Sequence, residues 1–118
     1  MKLLAEEAFY FNEWAQKEIV AVEDRKDTCA RIGDEEGGYY ACGVEIGLVT
    51  GMSYVVAGQD MDELIDRFIR ELNVNRKIWE RESDAKYCKV ADGRADAYRK
   101  VIAKLKEMKA EFSQEERG

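Results

Sequence analysis

The stretch Tyr39–Gly58 (YYACGVEIGLVTGMSYVVAG) decides the fold, because it carries a single charge, Glu45, in twenty residues. Three structures fit so apolar a run. Its length suits a membrane-spanning helix, and Gly43, Gly47 and Gly51 stand at the four-residue spacing that lets helices approach closely. Against this, Glu45 would lie in hydrocarbon and no basic flank favours insertion. A buried helix in a water-soluble domain is the second candidate, disfavoured because each interior glycine lowers helix propensity. The third is a pair of strands, about Tyr39–Ile46 and Ser53–Ala57, joined near Val49-Thr50-Gly51. Val, Ile, Tyr and Thr suit strands, and glycine inside a strand marks a bulge or a close backbone approach. The strand reading is adopted, with a sheet covered on much of both faces.

Upstream, residues 2–17 (KLLAEEAFYFNEWAQK) read as a helix. Leu4, Ala8, Phe11 and Ala15 recur at spacings of four and three, and Glu6 and Glu7 suit a helix start. Ile19–Val22 and Thr28–Ile32 read as short strands, separated by the charged run Glu23–Asp27. Gly33–Gly38 reads as a turn, its glycines able to supply positive φ. Together these place a small antiparallel sheet over about residues 19–58, behind an N-terminal helix.

Downstream the pattern changes period. Asp60 can cap a helix, with Glu63 three residues on. Met61, Ile65, Phe68, Leu72, Asn75 and Trp79 then follow at spacings of four and three, predicting a helix to about Glu82. Ser83-Asp84 is a break, residues 85–92 fit either helix or strand, and Asp92-Gly93 is a second candidate break. Arg94, Tyr98, Val101, Leu105, Met108 and Phe112 form another seam. Two seams of period near 3.5 predict an antiparallel helical hairpin. The expected architecture is therefore α+β within one domain, 1–118: helix plus sheet over 1–58, hairpin over 59–113 and a frayed tail, 114–118.

Gly37-Gly38-Tyr39-Tyr40-Ala41, the strand after it and Gly58-Gln59-Asp60-Met61-Asp62-Glu63-Leu64 together resemble the sheet-then-helix core of HicB-type antitoxins over about 35 residues. The proline-rich turn of that family is missing, the stretch before the helix is longer, and no DNA-binding module follows. The resemblance implies a sheet-then-helix core and no carried-over function.

Composition narrows the chemistry. The 118 residues contain no histidine and no proline. Without histidine, Ser–His and Cys–His nucleophilic catalysis and His-ligated metal sites are excluded, and only carboxylate chemistry with an up-tuned Asp or Glu remains. Cys29, Cys42 and Cys88 form no C-x-x-C pair and no zinc set, which fits reduced thiols in the cytoplasm. No catalytic residue, metal or cofactor is expected. The net charge of −6 lies wholly in residues 1–58, since residues 59–118 balance. Such a surface repels phosphate backbones and attracts basic partners.

Asn75 and Arg94 are the polar residues in the two seams. With Trp79 and Tyr98 they form a candidate ligand site for an anionic or nucleotide-like small molecule, guanidinium for phosphate and rings for stacking. Asp62, Asp66 or Glu82 could instead serve Arg94 as a structural acceptor. Phe68, Leu72, Leu105, Met108 and Phe112 are the candidate oligomer seam. Glu45 is a candidate perturbed carboxylate, and Asp96→Lys100 and Lys104 with Glu107 or Glu111 are expected surface pairs. The function expected is a non-catalytic acidic binding protein that occludes or inhibits a partner as a homo-oligomer. The alternative is a small-molecule binder that sequesters an anionic ligand. Nucleic acid and membrane are not expected partners.

Overall fold

The computed structural model describes residues 1–81 and 84–117, with the side chains of 78–80 and 113–117 outside the description. The chain is all-helical: α1 (Ala5–Ile32), α2 (Glu35–Tyr54), α3 (Met61–Arg81) and α4 (Ala85–Arg117). Among the described residues there is no strand, only an isolated bridge between Lys2 and Asp60. The expected sheet over residues 19–58, and with it the α+β class, is overturned. The sheet-then-helix resemblance falls with it, because its sheet half is helix.

The physical reason lies in the glycines of Tyr39–Gly58. Gly43, Gly47 and Gly51 form a bare stripe on α2, and α4 lies directly against it. A Cβ on Gly43 would stand 2.0 Å from the Val90 carbonyl oxygen, and one on Gly47 would stand 2.5 Å from Ala97 Cβ. Gly93 is the counterpart on α4, where a Cβ would meet the Tyr40 carbonyl oxygen at 2.0 Å. Each glycine costs a helix about 1 kcal/mol in isolation. Close backbone approach returns dispersion along the whole contact, so tertiary packing overrides propensity. Gly93 is therefore no helix break: α4 runs through it, and residues 85–92 are helix.

Contact order along α2 (43, 47, 51) follows contact order along α4 (90, 97, 101), so these helices run parallel. Each is preceded by an antiparallel neighbour. Helix α1 packs on α2 and α3 packs on α4, while α1 touches α4 lightly. The result is two helical hairpins joined through their second helices, in a flat body of 51 × 30 × 19 Å. The expected C-terminal hairpin is present as α3–α4. Its seam lies inside the body: Phe68, Leu105 and Met108 are fully buried, while Leu72 and Phe112 pack partly buried against the same core.

Local signals explain the helix ends. Glu7 is buried and its carboxylate accepts the Leu4 N–H at 2.7 Å, which starts α1. Ile19–Val22 and Thr28–Ile32, expected as strands, continue α1. Buried Val22 and Cys29 extend the stripe begun by Phe11 and Ala15. The 33–38 turn shrinks to Gly33 (φ 75) and Asp34, whose side chain accepts from Gly37 N–H, so Gly37 and Gly38 lie in the first turn of α2. Asp60 caps α3 as expected, accepting from Glu63 N–H at 3.1 Å. The N-terminal strand-like segment straps the α2–α3 loop: Leu3 is buried and bonds Gln59 and Gly58 through its backbone. Residue 82, the expected last residue of α3, and residue 83 of the expected break lie outside the described residues. The tail expected to fray, 114–118, belongs to α4 as far as Arg117, and its side chains lie outside the description.

Candidate functional site

Helices α3 and α4, with Tyr40 of α2, enclose a groove. Tyr40, Leu72, Asn73, Asn75, Arg76, Lys89, Ala91, Asp92, Ala95, Asp96 and Arg99 line a cavity of about 560 Å³. Ala91 and Ala95 leave its floor low, and Tyr40 reaches it because Gly93 lets the α2 backbone close in. The Tyr40 hydroxyl donates to Asp96 at 2.5 Å, and Arg99 donates to the other oxygen of the same carboxylate at 2.8 Å. The hydrogen bond to Asp96, with burial adding to it, raises the Tyr40 phenol above its ordinary pKa. Sequence spacing missed this cluster, since the strand reading kept Tyr40 away from Asp96. Asp96 and Lys100 do not pair as expected: Asp96 takes Arg99 and Tyr40, while Lys100 reaches Glu18 on α1 at 3.4 Å.

Asn75 lines this cavity but is committed to the fold. It is buried and its amide donates to the Ala91 carbonyl at 2.8 Å, joining α3 to α4. Arg94 and Tyr98 do not line the cavity. They lie one turn apart on α4, Arg94 against the glycine stripe of α2 and Tyr98 against Phe68 of α3. Tyr98 is buried against Phe68, with ring centres 6.0 Å apart. Burial raises its phenol pKa, while the Arg94 charge and a hydrogen bond with Thr50 oppose the rise. Arg94 Nε is buried with no hydrogen-bond partner among the described residues. Of the acceptors expected for it, Asp62 pairs with Lys109 and Asp66 is exposed, while Glu82 lies outside the described residues. The Trp79 side chain also lies outside them. Of the four expected ligand residues, the three whose side chains are described therefore divide: Asn75 lines the cavity, and Arg94 and Tyr98 do not.

The remaining expected features resolve into fold contacts. Glu45 sits on the α1 flank of α2 and accepts Lys26 at 3.0 Å, which raises the Lys26 pKa. Lys104 pairs with Glu107 at 3.4 Å as expected and also reaches the Tyr10 hydroxyl at 3.1 Å. Cys29 and Cys42 line a second cavity of about 420 Å³ at the α1–α2 end, beside Lys26 and Asp34. All three cysteines are free thiols. Among the described residues no group of three or more His, Cys, Asp or Glu side chains is placed to hold a metal ion, and no helix is long and apolar enough to cross a membrane. Comparison with family models, with curated proteins and with solved structures finds no match.

Proposed function

We propose that the chain is a non-catalytic acidic binding protein of the cytoplasm that works as a homo-oligomer and occludes a basic protein partner. The observation that supports this reading is the placement of charge. Glu23, Asp24 and Asp27 on the last turns of α1 and Asp34, Glu35 and Glu36 at the start of α2 are all exposed at one end of the body. Three bases share that segment, and one of them, Lys26, is spent on Glu45. An exposed single-sign end steers a complementary partner and sets association rate more than final affinity. The test uses the full chain and a charge-reversed variant, Asp24→Lys with Glu35→Lys and Glu36→Lys, as paired baits. A basic protein retained by the wild type, released by moderate salt and absent from the variant is the expected result. Equal retention by both baits would remove the acidic end from the account.

A second reading is favoured by the cavity over α4. Arg76, Lys89 and Arg99 line it together with Asp92 and Asp96, which holds Arg99, around an alanine floor, and about 560 Å³ falls in the range of small-molecule sites. On this reading an anionic, flat ligand lies there. Thermal melting of the full chain with inorganic phosphate and a nucleotide panel tests it. A rise in midpoint that Lys89→Gln with Arg99→Gln abolishes supports it, and no rise with any ligand removes it.

A further inference from the structure

Helix α2 has the composition of a helix buried on every side. From Tyr39 to its end at Tyr54 its one charged residue is Glu45, and that residue is turned to α1 and paired with Lys26. A helix that is neutral and apolar all round belongs in an interior. Among the described residues it is covered by α1 and by α4 along its length, and by Arg67 and Phe68 of α3 at Tyr54. The remaining side presents Ile46, Val49 and Ser53, continued at spacings of three and four by the half-exposed Tyr39 and Cys42, which also line the α1–α2 cavity, with Lys86 Nζ 5.8 Å over the Tyr39 ring. Ile46 is 41% and Val49 47% exposed. Seam spacing of this kind fits another helix laid alongside.

From this we infer that the uncovered side of α2 is the surface on which a second copy of this chain docks, α2 against α2. The inference rests on the oligomer part of the proposed function and assigns its interface. Three observations select a second copy over another occupant. First, the seam's own side chains carry no charge, so two copies can bring this patch together across a two-fold axis without like charges from it meeting. Second, charge favours one arrangement. A two-fold axis across α2 lays the acidic turn Asp34–Glu36 of one copy towards the far end of the other's α2, where the Arg67 guanidinium lies 3.6 Å over the Tyr54 ring. Third, area suffices. The broad face of the body measures 51 by 30 Å, so about half of it supplies the roughly 800 Å² per partner of a stable association.

Sedimentation of the full chain at high micromolar concentration, beside two variants, is the test. The wild type is expected at twice the 13.6 kDa chain mass. Ile46→Glu with Val49→Glu puts carboxylates on positions exposed in the single chain, so its far-ultraviolet helix signal should be unchanged. Its dimer dissociation constant should rise by a factor on the order of a hundred or more, because two carboxylates per copy would be buried unpaired. Val20→Glu, on the outward side of α1, should leave the dimer as it is. A wild type that stays monomeric overturns both this inference and the oligomer reading. A dimer that survives Ile46→Glu with Val49→Glu overturns the α2 interface alone. Binding of wild-type chain, as monomer, to phosphatidylcholine vesicles would show that a lipid surface covers α2 instead.

Discussion

Replacing Gly43 with alanine puts one methyl group where the fold leaves no room. Its Cβ would lie 2.0 Å from the Val90 carbonyl oxygen, 2.8 Å from the Val90 carbonyl carbon and 2.9 Å from Arg94 N. All three are main-chain atoms of α4, so no rotamer change relieves the clash. Ordinary contact begins near 3.4 Å, so the helices must part by roughly 1.4 Å at this point. A gap of that order forfeits a quarter to a half or more of each contact along the stripe, and overpacking costs typically 1–3 kcal/mol. With main chain on both sides the upper figure applies, about 3 kcal/mol. Alanine returns about 1 kcal/mol as the better helix former. The net loss is about 2 kcal/mol, or a fall of roughly 8 °C in melting midpoint for a chain of this size. Gly38→Ala is the internal control: it lies in the first turn of α2 with nothing within 4 Å of its Cβ. There only the propensity remains, and the midpoint should rise by about 2–4 °C. Thermal melts followed by circular dichroism compare the two. If Gly43→Ala stabilises the protein as Gly38→Ala does, the close α2–α4 contact does not exist.

Gly58 has φ 88 with open space around it, so Gly58→Ala should cost about 1–2 kcal/mol through backbone strain alone, read from a urea midpoint. Asn75→Ala removes the amide hydrogen bond that ties α3 to the Ala91 carbonyl, which keeps its own partner within α4, and should cost about 0.5–1.5 kcal/mol with little change in helix content; denaturant titration reads it, and a neutral result would mean that this bond does not help hold α3 to α4. The Tyr40 phenol, raised by its hydrogen bond to Asp96, favours its neutral form in the folded chain. Its contribution is fully present below the ordinary tyrosine pKa of about 10 and is lost as pH rises through the folded value. Phenolate absorbance should therefore show two tyrosines ionising late, Tyr40 and the buried Tyr98, and Tyr40→Phe should remove one of them and flatten its part of the pH–stability curve.

The C-terminal hairpin was legible because its helices carry strong one-sided patterns. Met61 to Leu72 and Tyr98 to Phe112 keep period near 3.5, and Asp60 caps the first of them as its position before the seam indicates. The N-terminal half was not legible, for two different reasons. In α1, Val20 faces solvent and the charged run Glu23–Asp27 mimics a turn, while the buried positions Val22 and Cys29 are too sparse to show the period. In α2, apolar residues surround the helix, so no face stands out, and β-branched residues with glycine then read as strand. The glycine spacing did hold the correct physics, close helix approach, but lipid is the setting in which that spacing is usually read. The partner stripe, Gly93 with Ala97, was hidden because Gly93 reads as a helix break. The candidate sites follow the same division. Asn75 and Arg94 were visible as polar residues in apolar seams. The Tyr40–Asp96–Arg99 cluster was not, because it depends on α2 running parallel to α4.

Everything above depends on that parallel contact, and nuclear magnetic resonance tests it directly. Backbone chemical shifts should be helical from Glu35 to Tyr54 without interruption, and the Gly43 Hα protons should show Overhauser contacts to Val90 and Arg94. Extended shifts over Tyr39–Ile46 and Ser53–Ala57, with cross-strand Hα contacts between them, would contradict the fold and the interface assigned to α2.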